Sequence, residues 1–383
     1  MRILIAPNAF KNSLTAQEAA AAIRTGLEQS RLDCSCECCP IADGGDGTGD
    51  LLMERFSGKT FEVPVQDPLG KPITASFGLI DPATAIIELA SASGLRLLPA
   101  DGLNPLRAST TGTGQLLRAA LDKGARRIIL CIGGSATVDG GIGILSALGA
   151  RFLDGEGAAL PPIPERLPEL KSIDLSGLSP GLSKEKVEVI VFCDVNNILL
   201  GPAGSAAVFG PQKGATPAMV QQLDAALSHL RDIALATTGK DMAAVTYGGA
   251  AGGTAAGLYA LLNAQLVNGA DYFLQYTGFD VHLEKADLVI TGEGSIDEQT
   301  LQGKGPFAVA KKAHRHKIPV IGLAGKVPLE LTPELMRYFN AILPIGHEPQ
   351  SLEDALRNTA GNLRRTAAAL GDLLALRAKS DRF

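Results

Sequence analysis

Residues 286–323 read ADLVITGEGSIDEQTLQGKGPFAVAKKAHRHKIPVIGL. The stretch opens with a short apolar run at 288–290, which predicts a buried strand. A helix is predicted over 306–316, and a second apolar run at 319–323 predicts the next strand. A strand, a helix and a strand in this order are typical of two parallel strands joined by a crossover helix, so the stretch predicts an α/β fold.

The same alternation occurs near the N-terminus. Residues 3–6 and the cysteine-rich run 34–39 predict two strands, and the helix between them begins at the capping pair Thr15 and Glu18. Two strands from the start of the chain and three from its end predict a flavodoxin-like parallel sheet of five strands, in the order 2-1-3-4-5, with helices on both faces. The middle of the chain is then an insertion.

The middle of the chain has a different pattern. Residues 61–89 contain short strands separated by DPLG and DPAT turns, which predict antiparallel pairing. A chain of 383 residues also exceeds the usual size of one hydrophobic core. We therefore predict two α/β domains: a discontinuous flavodoxin-like domain of residues 1–59 and 278–383, and an inserted α/β domain with a mixed sheet at 60–277. The active site is expected in the cleft between the domains.

Charge and hydropathy exclude several classes of protein. The net charge of −5 gives no basic field for nucleic acid or anionic lipid. No stretch approaches the roughly 18 uninterrupted apolar residues of a membrane-spanning helix, and the N-terminus lacks a signal-peptide layout. We expect a cytoplasmic protein with no nucleic-acid or membrane partner. The sequence does not determine the oligomeric state, and a homodimer is the alternative to a monomer.

Six cysteines include the crowded run CSCECC at 34–39. Period-two spacing places Cys34, Cys36 and Cys38 on one face of a strand, where reduced cysteine packs as a small apolar residue. The C-x-C spacing lacks the paired C-x-x-C of zinc sites. We favour a core strand, and a cysteine-based metal or redox site is the alternative.

Carboxylates, lysines and glycines follow the predicted strands of the discontinuous domain. Ligands of a doubly wound sheet bind beyond the carboxyl ends of its strands. The residues in question are Asn8, Lys11, Asp43, Gly44, Gly45, Asp46, Glu293, Asp297, Gly325 and Lys326, and Lys304 lies in the same segment as Glu293. Carboxylates that hold Mg²⁺, glycines that let phosphates approach and lysines that neutralise charge are the components of phosphoryl transfer.

The inserted domain has glycine-rich segments of its own. CIGGSATVDGGIG, at 131–143, has five glycines ahead of a predicted helix, and N–H groups at a helix start favour an anion. STTGTG (109–114) and GGAAGGTAAG (248–257) also open helices, and Asp194 ends a predicted strand. The sequence contains no Walker A motif, no G-x-G-x-x-G fingerprint and no G-x-S-x-G elbow.

Eight blocks of the sequence resemble, in order, the signature blocks of the type-1 glycerate kinases. They are IAPNAFKNSLTA, ADGGDGT, DPLG, ASGLRLLP, STTGTG, GGSATVDGG, VFGPQKGA and ITGEGSIDEQTLQGK. The resemblance extends over nearly the whole chain and implies a two-domain layout similar to the one predicted above. It also implies an enzyme that uses ATP and Mg²⁺ to phosphorylate D-glycerate, usually at the 2-hydroxyl.

The chain departs from the family's usual residues at a few positions. It has Asn8-Ala9 where the family usually has Asp-Ser, Asp46 for Glu, Val138 for Asn and Ile198 for Pro. Asn8 keeps a hydrogen-bonding side chain and loses the charge. A non-catalytic nucleotide or sugar-acid sensor on a degenerate kinase scaffold is therefore one alternative. A nicotinamide-dependent oxidoreductase is another, which the missing dinucleotide fingerprint disfavours.

Roles for single residues are hypotheses drawn from these patterns and the resemblance. Asp194 or Asp297 is expected to accept the proton of the glycerate hydroxyl. Asp43 and Glu293 are expected to hold Mg²⁺, and the segment 133–141 is expected to bind phosphate. The residues expected to bind ATP are Gly133, Gly134, Ser135, Gly140, Gly141 and Lys304. Those expected to bind glycerate are Asn8, Lys11, Gly44, Gly45 and Ser93, with Lys11 also placed at the reacting groups.

Overall fold

A computed structural model gives the fold, and it describes residues 1–179, 182 and 186–380. Its strands are β1 (Arg2–Ile5), β2 (Ser35–Cys38), β3 (Lys59–Gln66), β4 (Pro72–Leu79), β5 (Thr84–Glu88), β6 (Arg127–Cys131), β7 (Arg151–Leu153), β8 (Ser172–Asp174), β9 (Glu188–Cys193), β10 (Gln265–Asn268), β11 (Leu288–Ser295), β12 (Val320–Lys326) and β13 (Ala341–Pro344). Its α-helices are α1 (Ala16–Gln29), α2 (Thr48–Arg55), α3 (Ala90–Ser93), α4 (Thr111–Asp122), α5 (Ile142–Ala147), α6 (Ser205–Phe209), α7 (Pro217–Thr238), α8 (Thr254–Leu262), α9 (Gly269–Tyr276), α10 (Phe279–Leu283), α11 (Gly305–Arg315), α12 (Pro333–Tyr338), α13 (Leu352–Arg357) and α14 (Thr359–Ser380).

The chain divides into two compact units. The first unit is Met1–Asp43 with Ala270–Phe383, and the second unit is Gly44–Gly269. The predicted boundaries lay instead between residues 59 and 60 and between residues 277 and 278. The difference at the N-terminal side comes from α2, which packs on β4 and β5 and so brings the residues after Asp43 into the second unit.

The first unit contains a parallel sheet of five strands. Its order is β13-β12-β11-β1-β2, and every neighbouring pair is parallel. This is the predicted order 2-1-3-4-5, counted from the other edge, so the prediction of a flavodoxin-like sheet is confirmed. Apolar residues of β1, β11 and β12 form the core with α1 and α14, as the buried-strand pattern requires.

The strand β11 runs five residues further than the apolar run at 288–290 predicted. It continues through Gly292 to Ser295, alongside β12. Gly292 faces Leu323 on β12, and a Cβ atom at Gly292 would lie 2.1 Å from the Leu323 carbonyl oxygen. The strand therefore needs a glycine at this point, and it carries Glu293 into a buried position instead of releasing it into a loop.

The strand β2 lies at the edge of the five-stranded sheet. Cys34 and Cys36 are half-buried and pack against the core of the first unit, whereas Cys38 is exposed. The cysteine face of this strand is therefore less buried than predicted, because an edge strand has a neighbour on one side only.

The second unit contains a mixed sheet of six strands, in the order β10-β9-β6-β5-β4-β3. The hairpin pairs β3–β4 and β4–β5 are antiparallel, and the pairs β5–β6, β6–β9 and β9–β10 are parallel. The predicted mixed sheet is confirmed. Because the parallel strands point the same way, the segments that follow β5, β6 and β9 leave the sheet at one edge.

Among the described residues, no helix is long and apolar enough to cross a membrane.

The helices α1 and α14 pack closely in the first unit. The helix α1 begins at the predicted capping box, in which the Thr15 hydroxyl accepts a hydrogen bond from the Glu18 N–H and the Glu18 carboxylate accepts one from the Thr15 N–H. Gly26 faces α14, and a Cβ atom there would lie 2.2 Å from the Arg364 carbonyl oxygen and 2.8 Å from the Ala367 Cβ. The close approach of the two helices therefore requires a residue without a side chain.

Substitution of Gly26 by alanine is expected to destabilise the protein by about 1–3 kcal/mol, because the added methyl group forces α1 and α14 apart. Gly361→Ala is the matched control, since Gly361 also lies in a helix and no atom lies within 4 Å of a Cβ there. The control should be stabilising by about 0.5–1 kcal/mol through helix propensity. Urea unfolding of both variants measures the two effects, and effects of the same sign would contradict the packing argument.

Candidate functional site

The first unit places an amide and a carboxylate side by side beyond the end of β1. The Nδ2 of Asn8 donates a hydrogen bond to Asp43 Oδ2 at 2.8 Å. The Oδ1 of Asn8 accepts one from the Ala9 N–H at 2.8 Å. The backbone N–H of Asn8 donates to the carbonyl oxygen of Gly292 on β11 at 2.8 Å. These contacts fix the buried Asn8 amide with its amino group toward the carboxylate.

Glu293 is a buried carboxyl group near the end of β11, and its Oε1 accepts a hydrogen bond of 3.1 Å from the Thr300 hydroxyl. Its pKa is raised to about 7, mainly by burial. The positive charge of Lys304 and the bond from Thr300 lower this pKa, and the negative charges of Asp43 and Asp297 raise it. These charges therefore act on one another, and we call Asn8, Asp43, Glu293, Asp297 and Lys304 the acidic cluster.

The turn after β11 orients the remaining members of the acidic cluster. Asp297 accepts a hydrogen bond from the Ser295 hydroxyl at 3.1 Å, and its N–H donates to the Thr300 hydroxyl at 3.2 Å. Lys304 is half-buried at the N-cap of α11. Lys11 is exposed in the turn that follows β1. The structure thus brings together five predicted residues of the first unit and leaves the role of Lys11 a prediction.

The donor set of the acidic cluster is compatible with Mg²⁺. Among the described residues, no group of three or more His, Cys, Asp or Glu side chains is arranged to hold a metal ion. Mg²⁺ in kinase sites usually has one or two protein carboxylates, and water and substrate phosphates supply its other ligands. Asp43 and Glu293 are two such oxygen donors within one electrostatic cluster. They fit the predicted role, which stays a prediction.

In the second unit, the buried carboxylate of Asp139 holds two glycine-rich segments together. Its Oδ2 accepts hydrogen bonds from the N–H and the hydroxyl of Thr110 at 2.8 and 2.7 Å. Its two oxygens also accept from the N–H groups of Gly141 and Gly143 at 3.0 and 3.3 Å. Burial raises the pKa of Asp139, and these bonds oppose the shift. The N–H groups at the start of α5 therefore already have an acceptor, and this acceptor is a side chain of the same chain.

The glycines of the segment 133–141 divide into two groups. The N–H of Gly140 donates to the Gly252 carbonyl oxygen at 3.0 Å, and that of Gly141 donates to Asp139. Both residues are buried, and their N–H groups hold the fold together. Gly133 and Gly134 precede this region, and Gly133 is half-buried whereas Gly134 is exposed. The N–H of Gly133 donates a hydrogen bond to the carbonyl oxygen of Gly44 at 3.1 Å. The contacts favour the first half of the segment for ligand binding.

The predicted residues around Gly133 lie near one another. A Cβ atom at Gly133 would lie 2.6 Å from the Cα of Gly45, so this glycine lies against the segment that contains Gly44 and Gly45. Ser93 is fully buried and shares a hydrogen bond of 2.8 Å with Thr113, so its hydroxyl already has a partner. The predicted glycerate contact of Ser93 has no support from this geometry and stays a prediction.

Asp194 leaves the sheet beside the same segment. The strands β6 and β9 pair Cys131 with Phe192, so residues 133 and 194 each lie two positions beyond that pair on neighbouring parallel strands. Asp194 is half-buried. The register therefore places it at the sheet edge of the second unit, as the strand-end argument predicted.

Sequence reasoning missed the lysine that this segment surrounds. Lys213 is buried, and its Nζ donates to the Ser135 hydroxyl and to the Thr137 carbonyl oxygen, each at 2.7 Å. Burial lowers the pKa of Lys213 to about 7, although the nearby charge of Asp139 opposes the shift. The Thr137 hydroxyl is buried and has no hydrogen-bond partner among the described residues. A cation and an unused hydroxyl thus lie together in the predicted phosphate segment.

The sequence gave one signal for Lys213 and none for a second group, the half-buried carboxyl group of Glu88. Lys213 lies in VFGPQKGA, but no pattern there shows that its side chain turns inward. Glu88, at the end of β5, accepts the Gly49 N–H at 2.7 Å, and burial is the main reason that its pKa is raised to about 7. A glutamate at the end of an apolar strand reads as a surface residue in the sequence. Its burial comes from α2, which covers β5.

Comparisons with known proteins agree with one another. Residues 3–375 match the family model described as the glycerate kinase family. A glycerate kinase of Bacillus subtilis (strain 168) is 46% identical over 96% of each chain, and a glycerate 2-kinase of Escherichia coli (strain K12) is 39% identical over 98% of each chain. A crystal structure of a candidate glycerate kinase 2 from Salmonella typhimurium LT2 is 42% identical, with a TM-score of 0.84 over 99% of each chain.

Substitution of Glu293 by glutamine is expected to change the pH dependence of stability. The pKa of Glu293 rises from 4.5 in the unfolded chain to about 7 in the folded one, so its contribution is fully present below pH 4.5 and is lost as the pH rises through about 7. The glutamine variant does not have this loss. Its free energy of unfolding relative to the wild type should therefore grow between pH 5 and pH 8, by at most about 3 kcal/mol.

Urea unfolding at both pH values, in EDTA, measures this change. Glu298→Gln is the matched control, because Glu298 is an exposed carboxyl group in the same turn. Parallel pH profiles for the two variants would contradict the raised pKa of Glu293.

Proposed function

This chain belongs to the glycerate kinase family and phosphorylates glycerate, and we propose that it transfers the γ-phosphoryl group of ATP to the 2-hydroxyl of D-glycerate. The products are 2-phospho-D-glycerate and ADP. The Escherichia coli relative named glycerate 2-kinase supports the 2-position. Relatives named as enzymes over nearly the full length support catalysis rather than the non-catalytic alternative. A cytoplasmic location, a homodimer and an active site between the domains stay predictions.

The observation that carries the phosphate assignment is the buried Lys213. A buried ammonium group is costly unless it meets an anion, and Asp139, whose charge acts on Lys213, is already engaged by N–H and hydroxyl donors. Lys213 donates two hydrogen bonds to neutral acceptors, which leaves its charge uncompensated by them. We assign the phosphate oxygens of ATP to Lys213, Ser135 and the hydroxyl of Thr137. Gly133 and Gly134 let the phosphates approach the backbone.

The acidic cluster of the first unit supplies the other half of the chemistry. Asp43 and Glu293 are the residues that would hold Mg²⁺, which when bound neutralises charge on the phosphates. Lys304 and Lys11 are assigned to the negative charge of the substrate or of the transferring group. Asp297 and Asp194 remain the two candidates for the base that takes the proton of the glycerate hydroxyl. Such a base must lie within hydrogen-bond distance of that hydroxyl in the substrate complex.

Asn8 changes the acidic cluster relative to the usual family residue. Its amino group donates to Asp43, whereas a second carboxylate at this position would repel it. The substitution therefore removes one negative charge and holds Asp43 in place with a neutral donor. Since Asp43, Glu293 and Asp297 remain, we assign Asn8 a positioning role toward Asp43.

Phosphorus NMR of the purified protein with Mg-ATP and D-glycerate tests the proposed reaction. We expect a 2-phosphoglycerate signal to grow in step with ADP. A 3-phosphoglycerate signal would correct the position and keep the enzyme class. ATP binding without glycerate-dependent ADP would reject the proposed catalysis.

Substitution of Lys213 by methionine is expected to lower kcat/KM for ATP about 100-fold, because the variant loses the cation that faces the phosphates. Its thermal stability should stay equal to that of the wild type or rise, since methionine fills a similar volume and needs no buried charge. Lys171→Met is the matched control, because Lys171 is an exposed lysine of the same unit. Normal turnover in Lys213→Met would contradict the phosphate role, and a large loss of stability would indicate a structural one.

A further inference from the structure

The second unit contains a cavity of about 560 Å³ that no step above uses. It lies among the turn 67–70, the loop that includes residues 101–109 and the start of α4. The turn follows β3, and β3 runs parallel to β5, so the cavity opens at the sheet edge from which the segment 133–141 also leaves. Its volume is within the range of small-molecule sites.

The walls of the cavity suit an uncharged group with apolar faces. Five apolar side chains contribute to them, and these belong to Pro68, Leu69, Leu103, Pro162 and Ile163. Arg107, also at the wall, pairs with Glu165 at 3.8 Å, and Asp101 and Asp67 add negative charge. Glycerate is an anion of seven non-hydrogen atoms, so both the size and the charge of the cavity disfavour it.

One residue that lines the cavity has a polar side-chain atom without a partner. The Oδ1 of Asn104 is buried and accepts no hydrogen bond from any described residue. The backbone carbonyl oxygen of Asn104 does have partners, because it accepts the N–H groups of Arg107 and Ala108. A buried acceptor without a donor costs free energy that a bound N–H group recovers. The cavity therefore favours a ligand with a hydrogen-bond donor beside Asn104, and an aromatic amine combines such a donor with apolar faces for the apolar side chains.

The cavity adjoins the residues assigned to phosphate. Leu103 lines it and packs on Gly214, where a Cβ atom would lie 2.7 Å from the Leu103 Cβ. Gly214 follows Lys213 directly in the chain, and Lys213 bonds to Ser135 and Thr137. The contact between Leu103 and Gly214 thus places one wall of the cavity next to the residue that follows Lys213, and in our proposal the phosphates of the nucleotide extend from the cavity toward Lys213.

The geometry points to this cavity as the adenine site of ATP, with Asn104 Oδ1 accepting a hydrogen bond from the 6-amino group. The inference rests on the proposed use of ATP and extends it, because it assigns the base as well as the phosphates to the second unit. Pro68, Leu69 and Leu103 are then the apolar contacts of the ring.

The test compares the affinity for ATP with that for purine riboside triphosphate, which lacks the 6-amino group, by titration calorimetry without glycerate. The wild type should bind ATP about tenfold more tightly. In Asn104→Ala the preference should disappear, through weaker binding of ATP alone. Because the Asn104 oxygen has no partner among the described residues, the variant should unfold at the wild-type temperature or above it.

Asn358→Ala is the control, since Asn358 is exposed in the first unit, and it should keep the tenfold preference. A wild type without preference, or Asn104→Ala with the full preference, would overturn the adenine assignment. The measurement involves binding only, so a protein that binds ATP with this preference but forms no phosphoglycerate would refute the proposed reaction and leave the adenine site intact.

Discussion

The buried carboxylate of Asp139 is the interaction on which the candidate site of the second unit rests. It joins the STTGTG and GGSATVDGG segments, which are separated by a strand and a helix, because Thr110, Gly141 and Gly143 all donate to it. These bonds use the N–H groups that a phosphate would otherwise meet at the start of α5. These bonds hold the second half of the glycine-rich loop in place, so our proposal assigns the phosphate to Lys213 and the first half of the loop.

Burial brings ionisable groups of opposite sign toward the same pKa in both units. The pKa of Glu293 rises to about 7 and that of Lys213 falls to about 7, each because a charged form loses its water. A cation bound beside Glu293 would favour its ionised form, and an anion bound beside Lys213 would favour the protonated form. Binding of the two ligands would then release a proton in one unit and take one up in the other, so the two exchanges offset each other near neutral pH.

The architecture could be predicted from the sequence because it follows from local patterns of apolar residues and turns. The alternation of apolar strands and helices predicted the five-stranded order, and the DPLG and DPAT turns predicted the antiparallel half of the second sheet. The extension of β11 was not predictable from hydropathy, because TGEGS reads as a turn. It forms a strand only where Gly292 meets the backbone of β12, and that contact joins segments that are about thirty residues apart. The acids after the apolar run at 288–290 were thus found, but the burial of Glu293 was not.

The groups that sequence reasoning missed are polar atoms whose surroundings come from distant parts of the chain. Lys213 meets Ser135 and Thr137 across more than seventy residues, and Asn104 meets a wall that includes the turn 67–70. Their residue types are common in loops, so the sequence does not show that either side chain is buried. Thr137 and Asn104 then each keep a buried oxygen without a partner among the described residues, which costs stability in the free protein. A ligand that accepts a hydrogen bond from the Thr137 hydroxyl and donates one to the Asn104 oxygen recovers that cost, so the proposed nucleotide would use both groups.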